Sequence, residues 1–221
     1  MKLFLNALKK FICGLLLVGL LLFLPAGTLL YPNAWLFIIL LFAPMTVLGA
    51  VLLIKAPSLL QKRLDVKEKE KTQKGVVAFS GILFFVGFVV AGLDYRFGWT
   101  SVPTWLVVLS SVVLVVSYAL YGEVMRENSY LFRTVQCEEG QKVVDTGLYS
   151  MVRHPMYAVT VWLFLSIPLV LGSWWSFLCF IHYPIVIIVR ILNEEALLTE
   201  QLQGYADYKK KVKYRLIPFV W

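Results

Sequence analysis

Six apolar segments, each close to the length of a membrane-crossing helix, constrain the fold of this chain more than any other feature. The chain is 60% hydrophobic and only 15% charged, which excludes an ordinary water-surrounded globular domain. A helix that crosses a bilayer needs about 20 predominantly apolar residues. The sequence therefore predicts an all-α, polytopic transmembrane helical bundle, with spans at residues 11–30, 34–54, 75–93, 103–122, 156–172 and 174–192.

Lysine and arginine side chains fall almost entirely on one side of these six spans. Of the 21 such residues, 20 lie before span one, in the connections after spans two and four, or from Arg190 onward, and Arg96 alone lies on the other side. Cytoplasmic loops carry such an excess, so both termini are predicted to be cytoplasmic. The net charge of +8 is interpreted as a topology signal and an attraction to anionic lipid, not as a nucleic-acid site.

The chain divides into two predicted regions. Residues 1–122 form an N-terminal scaffold of four spans, and residues 123–221 form a C-terminal region with a polar loop, two spans and a tail. In the charged connector 55–74, Pro57 and Ser58 can start a short helix. Its leucines would lie on the membrane surface, and they are Leu59, Leu60 and Leu64. A solvated charged connector is the alternative.

Span six is predicted to extend beyond the bilayer. From Trp174 to Gln203 only Pro184 is a helix breaker, and Gly204 is a plausible stop. Thirty helical residues measure about 45 Å, against a hydrocarbon core of about 30 Å. The last turns are therefore expected to meet the polar loop on the cytoplasmic side.

Polar residues at the start of span five form the first candidate site. Pro155 disfavours helical backbone dihedral angles at His154, and proline is itself well suited to the first turn of a helix. A helix is therefore expected to start at this point. The unpaired N–H groups and partial positive charge of such a start suit an anionic ligand group, and Arg153 and His154 add donors. The alternative is that Arg153 only snorkels to the headgroups while His154 only caps the helix.

A second candidate group lies at the end of span six. Arg190 and Glu194 are four residues apart and share one helical face, and Glu195 follows. Carboxylates at an apolar boundary carry a free-energy cost unless they bind a partner or a ligand. A surface ion pair between Arg190 and Glu194 is the alternative. The aromatic and basic tail that follows is predicted to fold back over this site.

Cysteine and histidine residues predict neither a disulfide framework nor a metal site. The three cysteines are scattered, two of them within apolar runs, and the chain has only two histidines. Neither the spacing of zinc ligands nor that of a disulfide-stapled domain is present.

An ordered set of motifs extends over residues 123–218. In chain order they are Gln136, Gly147-x-Tyr149, Arg153-His154-Pro155-x-Tyr157, Arg190-x-x-x-Glu194-Glu195, Gly204-Tyr205-x-x-Tyr208 and Arg215-x-x-Pro218. This set resembles the isoprenylcysteine carboxyl methyltransferase family and its relatives among phospholipid methyltransferases. The resemblance implies a membrane enzyme that uses S-adenosylmethionine, bound between the polar loop, the start of span five and the end of span six.

The resemblance also implies residue roles. Carried over by position, the cofactor contacts are Gln136, Gln141, Lys142, Val143, Val144, Tyr149, His154, Pro155, Met156, Tyr157 and Glu194. Arg190 would face the substrate, and Arg190 and Glu194 are the candidate catalytic residues. Supporting roles would fall to Arg153, Glu195, Tyr205, Tyr208 and Arg215. The segment between Gln136 and Tyr149 departs from the eukaryotic prenylcysteine enzymes, because it is shorter and has Gln141 in place of a histidine.

Among possible substrates, the resemblance favours the carboxylate of an isoprenylcysteine-type or other isoprenoid or lipid acid. A carboxylate is ionised at pH 7 and needs only a cation such as Arg190 to position it. A phospholipid amine, the first alternative, would need a base among Glu194, Glu195 and His154. An NADPH-dependent sterol-type reductase and a non-enzymatic membrane scaffold are the further alternatives.

Overall fold

The computed structural model describes residues 1–64, 71–131, 137 and 140–221 of the chain. Every regular element within these ranges is helical, which confirms the predicted all-α class. The α-helices are α1 Lys2–Ala26, α2 Pro32–Lys55, α3 Pro57–Leu64, α4 Lys71–Phe97, α5 Thr104–Glu127, α6 Pro155–Val170, α7 Trp174–Phe180, α8 Tyr183–Gln201 and α9 Tyr205–Lys211. A short 3₁₀ turn, Gly147–Ser150, precedes α6.

Within the described ranges, five helical segments are long and apolar enough to cross a membrane. They are Lys2–Ala26, Pro32–Lys55, Gln73–Phe97, Thr104–Glu127 and Trp174–Gln201. The apolar helix α6 has 16 residues and is shorter, as the sequence predicts for span five. Each predicted span therefore coincides with an apolar helical segment, and the polytopic bundle is confirmed.

Two features of the helical segments correct the sequence-based expectations. The first helix starts at Lys2, not near residue 11, and continues through Pro25 in its last turn. Span six is not one continuous helix, because α7 ends at Phe180 and α8 starts at Tyr183. Pro184 lies at the start of α8, where its missing N–H and its ring cannot continue the preceding helix. Pro184, the helix breaker recognised in the sequence, therefore accounts for the break.

The short helix α3 packs against protein, not on the membrane surface. Leu59 and Leu60 are buried, in one cluster with Leu52 of α2 and Val124 of α5. The connection is tight, since α2 ends at Lys55 and α3 begins two residues later, so α3 folds back against the helices beside it. The expected start of the helix at Pro57 is confirmed, but its leucines contribute to the core.

The two ends of the bundle differ in character. At one end, Tyr31 donates a hydrogen bond to Leu171 O at 2.6 Å, and buried Asp94 accepts from Thr100 N at 2.7 Å and from Ser173 Oγ. The other end carries α3, the loop before α6, and α9. We call this other end the basic end, and it holds the candidate site.

Gly92 allows α1 and α4 to approach closely. A Cβ atom at this position would lie 2.6 Å from the backbone oxygen of Leu22. Small residues allow the backbones of membrane helices to pack in this way, and a backbone atom cannot give way as a flexible side chain can. We expect Gly92→Ala to lower the midpoint of thermal unfolding in detergent micelles.

Gly81 provides the matched control on the same helix. A Cβ atom there meets no atom within 4 Å. Alanine is favoured over glycine within a helix by about 0.5–1 kcal/mol, so Gly81→Ala is expected to leave the midpoint unchanged or to raise it. Equal midpoints for the two variants would contradict the close approach at Gly92.

Candidate active site

Glu195 lies at the centre of a buried ion-pair network at the basic end. Its Oε1 accepts a hydrogen bond from Arg153 Nε at 2.6 Å, and its Oε2 accepts one from Arg215 Nε at 3.0 Å. His154 Nε2 lies 3.3 Å from Oε1, and Lys209 Nζ lies 4.0 Å from Oε2. The Glu195 residue is only 3% exposed, so these side chains replace water around its charge.

The tail docks on the residues that precede α6. Arg153 Nη1 donates to Val212 O at 2.7 Å and to Lys213 O at 2.8 Å. The backbone N–H groups of Arg153 and His154 donate to Tyr214 O and Arg215 O, each at 2.9 Å. The tail therefore folds back as the sequence predicts.

These contacts correct two interpretations of the start of α6. Arg153 is buried in the network, so it does not snorkel, and the His154 side chain makes no capping hydrogen bond. The backbone N–H groups that were expected to bind an anionic ligand are also largely hydrogen-bonded within the protein. His154 N–H is bonded to the tail, Pro155 has no N–H, and the N–H groups of Tyr157 and Ala158 bond to His154 O.

Arg190 and Glu194 are joined through the hydroxyl group of Tyr157. Arg190 Nε donates to Tyr157 Oη at 2.8 Å, and Tyr157 Oη donates to Glu194 Oε2 in a short hydrogen bond. The His154 and Tyr157 rings stack with centroids 5.7 Å apart. A neutral hydroxyl thus lies between the cation and the carboxylate that the sequence places on one helical face. We call Arg190, Tyr157 and Glu194 the relay triad.

Adjacent glutamates on α8 have separate environments. Successive residues of an α-helix point about 100° apart, so Glu195 enters the ion-pair network while Glu194 faces Tyr157.

The charges of these glutamates affect neighbouring titratable groups. Burial, and then the charges of Glu195 and Glu194, raise the pKa of Tyr205. Burial and the Glu194 charge likewise raise the pKa of Cys137. Both groups are therefore neutral near pH 7 and lie within electrostatic reach of Glu194.

The turn that carries Tyr149 is held by two residues that the sequence did not single out. Glu127 Oε2 accepts from Leu148 N at 2.9 Å, and Asn128 Nδ2 donates to Tyr149 Oη at 3.0 Å. Glu127 is the last residue of α5, where the helix dipole disfavours a negative charge. In the sequence, this unfavourable position of a carboxylate was the feature that could have indicated a hydrogen-bond partner for Glu127.

Gly147 is required by the same turn. Its φ is +51°, in the region that favours glycine, and an added Cβ atom would lie 1.5 Å from Glu127 Oε1. A side chain at this position would displace the carboxylate that binds Leu148. The absence of a side chain at Gly147 therefore helps to keep Tyr149 in position.

The other predicted cofactor residues differ in burial and in packing partners. Gln136 lies outside the described residues. Val143 packs against the cluster of Tyr205 and Tyr208, and Val144 packs against a cluster that contains Tyr149 and Met156. Lys142 is exposed, Gln141 is partly buried, and Pro155 and Met156 are buried in the first turn of α6. Cofactor contact by these residues remains a prediction.

Tyr208 and Tyr205 form a matched pair for a stability test. Tyr208 Oη donates to Tyr149 O at 2.7 Å, whereas buried Tyr205 Oη has no hydrogen-bond partner among the described residues. We expect Tyr208→Phe to lower the free energy of unfolding by about 1 kcal/mol, because it leaves a buried carbonyl group unpaired. Tyr205→Phe removes no bond and is expected to be neutral or stabilising, as measured by thermal unfolding without ligand. A larger loss in Tyr205→Phe would contradict this assignment.

Comparisons with known proteins agree with the motif set. Residues 99–204 match the family model described as phospholipid methyltransferase. A solved structure, the eukaryotic intramembrane Ras methyltransferase ICMT (isoprenylcysteine carboxyl methyltransferase), superposes with a TM-score of 0.55 at 20% identity, over 92% of this chain and 74% of that chain. The search of curated proteins found no match. The chain is thus similar in fold to ICMT and, over residues 99–204, similar in sequence to the phospholipid methyltransferases.

Proposed function

We propose that this protein transfers a methyl group from S-adenosylmethionine to the carboxylate of a lipid-like acid, such as an isoprenylcysteine-type substrate. The observation that carries the proposal is the relay triad, which holds a cation and a carboxylate on either side of one partly buried hydroxyl group. The triad lies where α6 and α8 meet at the basic end. The charge distribution supports a cytoplasmic orientation for this end.

The residues of this region suit the proposed cofactor chemically. The Glu194 carboxylate can accept hydrogen bonds from an ammonium group, and the His154 and Tyr157 rings can face a sulfonium cation. Gln136, the segment 141–144 and Tyr149 are proposed to complete the cofactor site, as the resemblance implies. When bound, S-adenosylmethionine supplies an electrophilic methyl group on a positively charged sulfur.

Arg190 is proposed to bind and orient the substrate carboxylate. The Tyr157 hydroxyl fixes the direction of the guanidinium group through the 2.8 Å bond to Nε. An ionised carboxylate needs no general base, so alignment of the reactants and exclusion of water are the main contributions of the protein. Arg190 belongs to a helix whose apolar side chains Val189 and Leu192 are exposed, which supports entry of a lipidic substrate from the bilayer.

Methylation of a phospholipid amine is the second candidate, because the family model is described as phospholipid methyltransferase. An amine must be neutral when it attacks the methyl group, and therefore must lose a proton first. Glu194 would be the base in that reaction. Arg190 would then act on a phosphate group of the substrate and not on the reacting carboxylate.

Cofactor binding by the purified protein is the first test. We expect labelled S-adenosylmethionine to bind, and Glu194→Ala and His154→Ala to weaken its affinity at least tenfold by loss of charged or hydrogen-bonded contacts. Glu200→Ala, an exposed position of the same helix, is the matched control. Unchanged affinity in both site variants would contradict the proposed site.

The substrate class is tested by incubating total lipid extract with the protein and a deuterated methyl donor. Mass spectrometry is expected to detect a lipid that gains a labelled methyl ester. A labelled amine would instead support the second candidate and would contradict the assignment of Arg190 as a carboxylate-binding residue.

A further inference from the structure

The last residues of the chain form a turn with an exposed apolar surface. We call residues 217–221 the apolar turn. Phe219 is 86% exposed, Val220 is 75% exposed and Ile217 is 44% exposed. In water, such a group of neighbouring large apolar side chains would be unfavourable, and exposed apolar patches of this kind mark contact surfaces.

The conformation of the apolar turn is fixed by backbone hydrogen bonds. Leu216 N and Ile217 N donate to Trp221 O at 2.8 and 3.1 Å, and Trp221 N donates to Ile217 O at 3.1 Å. Phe219 has a φ of +66°, which a bulky side chain rarely adopts. The turn thus leaves most of the Phe219 side chain exposed.

The apolar turn lies beside the membrane-crossing part of the bundle. Leu216 belongs to one buried cluster with Tyr183, Ile187 and Ile191, all of which lie within the candidate span Trp174–Gln201. Trp221 packs against this cluster. Its ring also lies below the Arg215 guanidinium group, at 5.1 Å from the centroid. The turn is therefore continuous with the apolar surface of α8 near the basic end.

Side chains that flank the apolar turn have the composition of a membrane interface. The exposed Lys213 precedes it, and the Tyr214 ring lies 5.3 Å from that of Phe219. Aromatic residues are enriched at headgroup level, and basic residues beside them are attracted to anionic lipids. The charge and the apolar surface together match a bilayer interface.

We propose that the apolar turn inserts into the lipid leaflet at the basic end and anchors the tail to the membrane. Phe219 and Val220 enter the boundary between headgroups and acyl chains, while the exposed Lys213 stays at headgroup level. The backbone oxygens of Tyr214 and Arg215 bind Arg153 and His154. Membrane contact and the position of the residues before α6 are thus linked by a few residues of chain. The proposal does not depend on the substrate or the cofactor.

Photo-crosslinking tests the proposed insertion in the full-length protein. The photoreactive residue p-benzoylphenylalanine replaces Phe219 in protein reconstituted into nanodiscs of phosphatidylcholine and phosphatidylglycerol. Two matched controls carry it at Trp162, a 59% exposed position of α6, and at Asp207, whose side chain on α9 is 82% exposed. Irradiation followed by mass spectrometry detects covalent phospholipid adducts.

We expect phospholipid adducts at positions 219 and 162 and none at 207. Adducts at 162 without adducts at 219 would overturn the proposal, since the turn would then face water. A crosslink from position 219 to a second copy of the chain would also overturn it, because the apolar turn would then be a contact between protein molecules.

Discussion

Glu195→Ala is expected to lower the free energy of unfolding by about 3–5 kcal/mol, because it leaves a buried arginine without its counter-charge. Arg153 is 7% exposed and its Nε lies 2.6 Å from Glu195 Oε1. Arg215, the second guanidinium group on this carboxylate, would also lose its partner. The substitution is therefore expected to release the tail from the residues before α6 as well as to destabilise the fold.

The measurement is unfolding of the purified protein in detergent micelles, followed by limited proteolysis of the tail under native conditions. Glu200→Ala is the matched control, since Glu200 lies on the same helix and is exposed. We expect the control to unfold with the wild-type protein and to keep its tail protected. Wild-type stability in Glu195→Ala would show that the ion-pair network contributes little.

Tyr157→Phe is expected to lower kcat/KM for methyl transfer about 10- to 100-fold. The hydroxyl group bonds two charged side chains, and a hydrogen bond to a charged group contributes about 1.5–3 kcal/mol. Without it, Arg190 loses the acceptor that fixes its guanidinium group, and Glu194 loses a donor. The assay uses the lipid that becomes labelled in the extract experiment. Tyr118→Phe on α5 is the control and is expected to retain wild-type activity.

A double-mutant cycle separates positioning from a general structural effect. If Tyr157 acts by orienting Arg190, its substitution has a smaller effect in an Arg190→Met background than in the wild-type protein. Effects that multiply independently would contradict this coupling. Thermal unfolding of the same variants shows whether a loss of stability accounts for the lost activity.

Local patterns in the sequence were sufficient for the membrane architecture. The length of an apolar segment determines whether it can cross a bilayer, and this property does not depend on neighbouring helices. The start of α6 at Pro155 follows from the fixed φ and missing N–H of proline, again a local effect. The break before α8 escaped prediction although Pro184 was recognised, because a single proline in a membrane helix can be accommodated or can end the helix.

The sequence also identified candidate residues for the site, but it did not determine which of them pair. From spacing alone, a helix-surface ion pair between Arg190 and Glu194 was one alternative, and an Arg153 side chain that extends to the headgroups was another. The structure instead pairs Arg153 with Glu195 across 42 positions and inserts Tyr157 between Arg190 and Glu194. Arg153 lies just before α6 and Tyr157 lies within it, whereas Arg190, Glu194 and Glu195 all lie on α8.

The spans, the helix starts at Pro57 and Pro155, and the chemical types of the candidate site residues were thus determined by the sequence by itself. Only the tertiary structure decided that adjacent glutamates have different partners, that Leu59 and Leu60 are core residues, and that the tail is held at residues 153 and 154. The physical reason is that burial and hydrogen-bond partners depend on which helices pack together. Periodicity in one segment contains no information about the side chains that another segment brings to it.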